Sequence, residues 1–384
     1  MATSGRPDPA YPAARMAAAL IHPHFARHGG KPAEAGGGPA PAPVPEIEEL
    51  QAMMDAAFWA SLRREEGFVP RVSLAYADPR RVKYPLRFER PLPLDPYSLT
   101  RVAPAVERPG IHLAVWSEGD GLKVWGATRD LPRYSFVLEV ITPGLLVIKH
   151  SRGEGPGKFV NVAVLEGDQV KIIDQRAAAV PDCPALLMSL LGLESQFSPE
   201  NSVSVLIQMA VSMREHGRGG LLLVSPAGSR TWQESLLQPM MYSVLPPFSV
   251  LADLMRQDAS SRPLRWQESL RWAIDGIAGL TAVDGATLIT DGYELLAFGA
   301  KIVRRPGCEQ VERLMVTEPI EGAAAAIMEP SQLGGTRHLS AAQFVHDQRD
   351  SIALVASQDG RFTVFGWSKC ESMVHAHRIE TLLL

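Results

Sequence analysis

The spacing of hydrophobic positions changes several times along the chain, and each change marks a new kind of element. After Pro45, the residues Ile47, Leu50, Met54, Ala57, Phe58 and Leu62 recur at three- and four-residue steps. That spacing predicts a helix with one face in a core, and Gly67 is placed to close it in a left-handed cap. From about residue 71 to 174 the period becomes two. The stretches 111–116, 122–126, 135–141, 145–150, 159–165 and 169–173, separated by turns bearing Gly, Asp and Pro, predict a smaller antiparallel β-rich domain. Trp116 and Trp125 fall on strands flanking the Glu118-Gly119-Asp120-Gly121 turn, where packing is the ordinary role and a ligand platform the alternative.

Pro181 and Pro184 mark a linker, after which Ser198-Pro199-Glu200 has the make-up of a helix start: a capping hydroxyl, a first-turn proline and an acid at the positive dipole end. The helix buries Val203, Leu206, Ile207, Ala210 and Val211 and stops near Gly217, and the apolar run 221–224 predicts a buried strand. A second helix, with Leu264, Leu270, Ile274 and Ile277, leads through Leu280-Thr281-Ala282-Val283 to Asp284-Gly285-Ala286 and a strand over 287–290. Asp291-Gly292 makes a turn into 294–302, and 352–357 pairs with 362–365 across Gln358-Asp359-Gly360. The fold class is therefore α/β: a mixed sheet flanked by helices over 195–384, preceded by the helix-plus-β-rich domain over 46–180. Residues 1–45, rich in Ala, Pro and Gly, contain too little apolar surface to offset chain ordering and are expected to form a disordered tail, with His22 and His24 solvated.

Bulk properties narrow the function classes. With 384 residues, 46% of them hydrophobic, the chain can bury two cores and still leave a tail. A net charge of −4 gives no general attraction to nucleic acid or anionic lipid, so any phosphate must be held by local geometry. Cys183, Cys308 and Cys370 are odd in number and scattered, which excludes a disulfide framework and suits a reducing compartment. The most apolar long stretch, 236–255, is broken by Gln238, Pro239, Pro246, Pro247 and Asp253, so it cannot span a bilayer, and the N-terminus lacks the apolar core of a secretory signal. The expectation is a cytoplasmic protein that binds neither membrane nor nucleic acid.

Two short motifs carry the chemistry. Gly334-Gly335-Thr336-Arg337-His338 precedes a helical segment over 340–347. Its glycines permit close backbone approach, the helix start presents unpaired N–H groups, and Thr336 and Arg337 add a hydroxyl and a planar fork of donors, together a phosphate cradle. On the residues alone, a plain Gly-Gly-Thr helix start with Arg337 on a surface acid accounts for them equally well, and His338 orients the loop. Asp284, before Gly285-Ala286, is positioned as a carboxylate able to hold a divalent cation beside a triphosphate, although Asp-Gly alone is usually a turn. His375 and His377, on one side of a strand, have no accompanying ligand, and Arg214, His216 and Arg218 are explained by a helix end and solvent.

In this order and spacing, Asp-Gly-Ala, then Gly-Thr-Arg-His opening a helix, then a paired Ala-Leu-Val-Ala-Ser strand resemble the diadenylate cyclase domain over about 195–384. The resemblance implies that Asp284 lies beside the catalytic metal, Mg or Mn, and the attacking ribose hydroxyl. It further implies that Gly285 and Ala286 adjoin the nucleotide and that Gly335, Thr336, Arg337 and His338 hold phosphates. Two such domains would face each other, each carrying one ATP. The sequence departs from that pattern at Leu339, where a second arginine is expected, and at Gln358, where an acid is expected. The whole chain is more similar to the divergent DACNV branch, predicted to act as a sensor, which has Leu-Thr-Ala-Val-Asp-Gly-Ala and Gly-Gly-Thr-Arg-His-x-Ser-Ala-Ala motifs beside an added N-terminal domain. The leading expectation is a nucleotide sensor with a weakened catalytic set, binding ATP, cyclic di-AMP or a related nucleotide and signalling to a protein effector, with a homo-oligomer open. An active cyclase making cyclic di-AMP from two ATP, and a scaffold whose pocket binds nothing, are the alternatives.

Overall fold

The computed structural model describes residues 10–28, 42–108, 110–117, 119, 121–152, 159–174, 200–258, 262 and 265–384. Two compact units result, Met1–Ile173 with Leu384, and Asp174–Leu383.

In the first unit the helices α1 (Pro12–His28) and α2 (Ile47–Ser61) pack on each other and on one face of an eight-stranded sheet. The strands are β1 (Ser73–Tyr76), β2 (Leu86–Pro93), β3 (His112–Ser117), β4 (Leu122–Thr128), β5 (Phe136–Thr142), β6 (Leu145–Ser151), β7 (Phe159–Glu166) and β8 (Gln169–Ile172). A short helix α3 (Pro96–Val102) joins β2 to β3. The order is β2-β4-β3-β1-β5-β6-β7-β8, antiparallel except for the β1–β3 pair. The six strands that alternation predicts are present within a residue or two, while β1 inserts in the middle of the sheet and β2 forms its edge. Trp125 is buried and donates its indole N–H to Ala77 O at 2.9 Å, and the Trp116 ring packs 4.8 Å from Tyr76, so both tryptophans have a packing role.

Two local expectations change. Within the stretch expected to be a tail, Pro12–His28 is a helix whose Ala14, Ala17, Ala18, Ile21 and Phe25 lie in the same core as Leu50 and Met54 of α2. Its apolar residues are mostly alanines, which composition alone reads as low complexity, but burying Ile21 and Phe25 stabilises the docked helix by about 1.5–3 kcal/mol each. His24 is correspondingly buried, hydrogen-bonded to His150 at 3.0 Å, and not solvated. Gly67, with φ of +88°, serves the tight turn between Glu65 and Phe68, because α2 already stops at Ser61.

The second unit holds a nine-stranded mixed sheet. Its elements in chain order are α4 (Glu200–Glu215), β9 (Gly220–Ser225), β10 (Tyr242–Phe248), α5 (Val250–Arg256), α6 (Trp266–Leu280), β11 (Ala286–Thr290), β12 (Leu295–Ala300), β13 (Leu314–Thr317) and β14 (Ala326–Met328). They continue with α7 (Pro330–Leu333), α8 (Thr336–Asp347), β15 (Ile352–Ala356), β16 (Phe362–Ser368) and β17 (Met373–Arg378). The order is β10-β12-β11-β9-β15-β16-β17-β13-β14, with β9–β11 and β13–β17 parallel. Ala341, Ala342, Phe344 and Val345 of α8 join a core with Leu221, Leu223, Leu288, Val355 and Phe365, while α4 and α6 pack on each other. The predicted strand 221–224 is thus an interior strand, β9, buried along its whole length between β11 and β15.

His375 and His377 on β17 are both buried, with rings 3.9 Å apart, and both bond the Thr317 hydroxyl at 3.0 Å. Burial, with His375 adding, pushes His377 down to about 3. In the unfolded chain the same imidazole titrates near 6.5, so between these values the unfolded state binds the extra proton. Stability is therefore complete above about pH 6.5 and falls as pH drops towards 3, by on the order of a few kcal/mol. Chemical denaturation of the protein with His377→Gln, measured across that range, should show a flatter acid limb than the unmodified chain.

Candidate functional site

The site is built where two hairpin arms and a helix start meet. Gly285 leads from α6 into β11, and the register Ala286↔Ala300 lays it flat against β12. Its φ is +118°, and a Cβ there would stand 2.5 Å from the carbonyl carbon of Gly299. Only glycine allows that approach, and the approach sets Asp284 beside Lys301, just past the end of β12. Lys301 Nζ donates to Asp284 Oδ2 at 2.6 Å, and its own carbonyl accepts the Leu237 N–H at 2.8 Å. The Lys301 hydrogen bond and charge, with a further contribution from Arg337, hold the Asp284 carboxyl below the usual carboxylate range, so it is ionised at neutral pH. The pair is exposed, 91% for Asp284 and 52% for Lys301, and adds little to stability.

The second motif forms the first turn of α8, which begins at Thr336, four residues before the predicted start. Gly335 occupies the N-cap without a side chain to close it, and the N–H groups of Thr336 and Arg337 have no acceptor among the described residues. Those donors and the positive end of the helix dipole are open to an anion. His338 is 4% exposed; burial lowers its pKa, so its ring is neutral at pH 7. The ring lies on Gly334, where a Cβ would come within 2.4 Å of Nδ1, and meets Phe365 edge-on at 6.1 Å. This arrangement orients the loop.

Arg337 makes no ion pair among the described residues, and its guanidinium rests on Gly219, where a Cβ would stand 2.8 Å from Nη1. The turn carrying Gly219 is fixed from two sides. His216 Nδ1 accepts the Arg218 N–H at 3.2 Å, so its Nε2–H donates to Thr281 Oγ1 at 3.1 Å, and that hydroxyl donates to Ala278 O at 2.6 Å. Gln358 donates its amide to Arg218 O at 3.3 Å. His216 is therefore part of the support under Arg337 and not a solvated helix-end residue, and Gln358 acts as a hydrogen-bond donor where an acid is expected.

Both motifs line one cavity of about 520 Å³, at the end of the sheet where β9 and β11 begin and β12 and β15 end. Asp284, Gly285 and Ala286 reach it from one arm, and Gly335, Thr336, Arg337 and His338 from the helix start. Its size falls in the range of small-molecule and cofactor sites, roughly 300–1,000 Å³. Lys301 also lines it and is the functional candidate that sequence reading misses. Leu339 is exposed and is not among the lining residues. For a divalent metal, Asp284 is the one carboxylate among the described residues lining the cavity, and it is already bound by an ammonium. Among the described residues no group of three or more His, Cys, Asp or Glu converges. That donor set does not make a protein-held metal site.

Among the described residues no helix is long and apolar enough to cross a membrane. No curated protein matches the chain. A solved structure, of the hypothetical membrane spanning protein from Bacillus cereus, is 13% identical, covering 50% of this chain and 70% of its own, with a TM-score of 0.28. The family model described as probable sensor domain DACNV matches residues 39–129, from before α2 to just past β4 of the first unit, so this part of the chain is similar to a sensor domain.

Proposed function

We propose that the protein is a nucleotide sensor whose second unit binds ATP, cyclic di-AMP or a related nucleotide in the cavity between Asp284 and Arg337. The observation that carries this reading is Arg337: a guanidinium without an ion-pair partner among the described residues, held against Gly219 beside the uncapped start of α8, in a cavity of about 520 Å³. The sensor family match over 39–129 supports a signalling role for the first unit, which would pass the occupied state to a protein effector. Binding without turnover is favoured because the acid expected at 358 is an amide bonded to Arg218 O and Asp284 is neutralised by Lys301. The motif resemblance to diadenylate cyclases supplies the nucleotide class. Titration calorimetry of the full chain with ATP and with cyclic di-AMP, followed by mass spectrometry of the recovered ligand after incubation with Mn²⁺, tests this. Saturable binding of at least one ligand, recovered unchanged, is expected; no binding of either, or ATP converted to cyclic di-AMP, contradicts it.

A further inference from the structure

We infer that the cavity takes its nucleotide through a phosphodiester and without a divalent metal, with Lys301 standing in the metal's place at Asp284. This rests on the nucleotide reading above and gives it a ligand class. Mg²⁺ in nucleotide sites is usually held by one or two carboxylates together with the phosphates themselves. Here the described residues of the cavity offer one carboxylate, and its Oδ2 is 2.6 Å from the Lys301 ammonium. The same ammonium contacts the Asp284 carbonyl at 3.5 Å, so it covers the backbone oxygen as well as the side chain. A dication would have to displace that ammonium and then remain beside it.

Charge matching points the same way. Among the described residues, the charged side chains lining the cavity are Asp284, Lys301 and Arg337, and burial keeps His338 neutral. With Asp284 and Lys301 cancelling, one unbalanced cation remains, Arg337, aided by the free N–H groups of Thr336 and Arg337. A phosphodiester presents a single negative charge per phosphate, so one guanidinium and two N–H donors satisfy one of the two phosphates of cyclic di-AMP. A metal-free triphosphate brings several charges and leaves most of them uncompensated. Lys301 lies on the opposite arm from Arg337, where its ammonium screens the Asp284 carboxylate from the phosphate.

The test is titration of the full chain with cyclic di-AMP and with ATP, each in EDTA and each in excess Mg²⁺. Cyclic di-AMP should bind equally well, within about twofold, under both conditions, and more tightly than ATP. Lys301→Ala should weaken cyclic di-AMP binding in EDTA by roughly 10–100-fold, since it removes a charged donor and leaves Asp284 facing the phosphate. Lys301→Ala combined with Asp284→Asn should recover part of that loss, which a folding defect would not. Binding of either nucleotide only with Mg²⁺, or unchanged binding by Lys301→Ala, overturns the inference while leaving the nucleotide reading intact. Failure of both nucleotides to bind under both conditions removes both.

Discussion

Arg337→Ala is expected to weaken nucleotide binding by about 10–100-fold, because one charge-assisted contact contributes roughly 1.5–3 kcal/mol. The guanidinium is the one unbalanced charge among the described residues lining the site, and it rests on Gly219. His216 and Gln358 fix the turn that carries Gly219, so the surface beneath the guanidinium is formed before a ligand arrives. Arg337→Lys should recover only part of the affinity, since an ammonium keeps the charge but loses the planar pair of donors. Titration calorimetry on the two variants separates these contributions. The fold should be unaffected, because Arg337 makes no ion pair among the described residues whose loss would strand a partner.

The second large effect falls on stability. Gly285→Ala should destabilise the second unit by about 2–4 kcal/mol, combining a strained backbone with a steric clash. At φ of +118° the backbone is one that side-chain-bearing residues rarely adopt, and the new Cβ would meet Gly299 C at 2.5 Å, Gly299 O at 2.7 Å and Ala300 O at 2.8 Å. All three are main-chain atoms of β12, so relief requires the hairpin to open, which also separates Asp284 from Lys301. Gly276→Ala in α6 is the matched control. Its Cβ would have nothing within 4 Å, and alanine in an exposed helix interior should stabilise by about 0.5–1 kcal/mol. Denaturation read by hydrogen exchange on peptides from β11 and β12 distinguishes the two.

Much of the fold is written locally and was readable. The strands of the first unit from β3 to β8 fall in the six stretches where a period of two is bounded in the sequence by Gly, Asp and Pro, so period and punctuation agree. β1 escaped because Ser73-Leu74-Ala75-Tyr76 is four residues long and pairs with β3 and β5, whose positions no local pattern reveals. β10 escaped for the opposite reason: Pro246 and Pro247 argue against a strand, and they are tolerated because β10 is the edge of its sheet. α1 was hidden by its own alanines, which resemble a low-complexity tail until α2 and the sheet are present to bury them.

The site divides in the same way. Asp284 and the 335–338 segment stand out because each motif is contiguous, and glycine beside a polar residue has a physical reading even in isolation. Lys301 could not be found, because its role depends on the register that pairs Ala286 with Ala300. Gln358 looked like a lost acid, yet its partner is a main-chain carbonyl 140 residues away. His216 likewise gains its role only when Thr281 and the Gly219 turn come together.

The central claim is that nucleotide binds where Asp284, Lys301 and the start of α8 meet, and hydrogen-exchange mass spectrometry of the full chain tests it directly. Spectra would be recorded with and without saturating ATP or cyclic di-AMP. Protection should appear in peptides covering 284–286, 300–302, 334–340 and 356–358, and should vanish in Arg337→Ala. Protection confined to other segments, or identical in Arg337→Ala, would contradict the account.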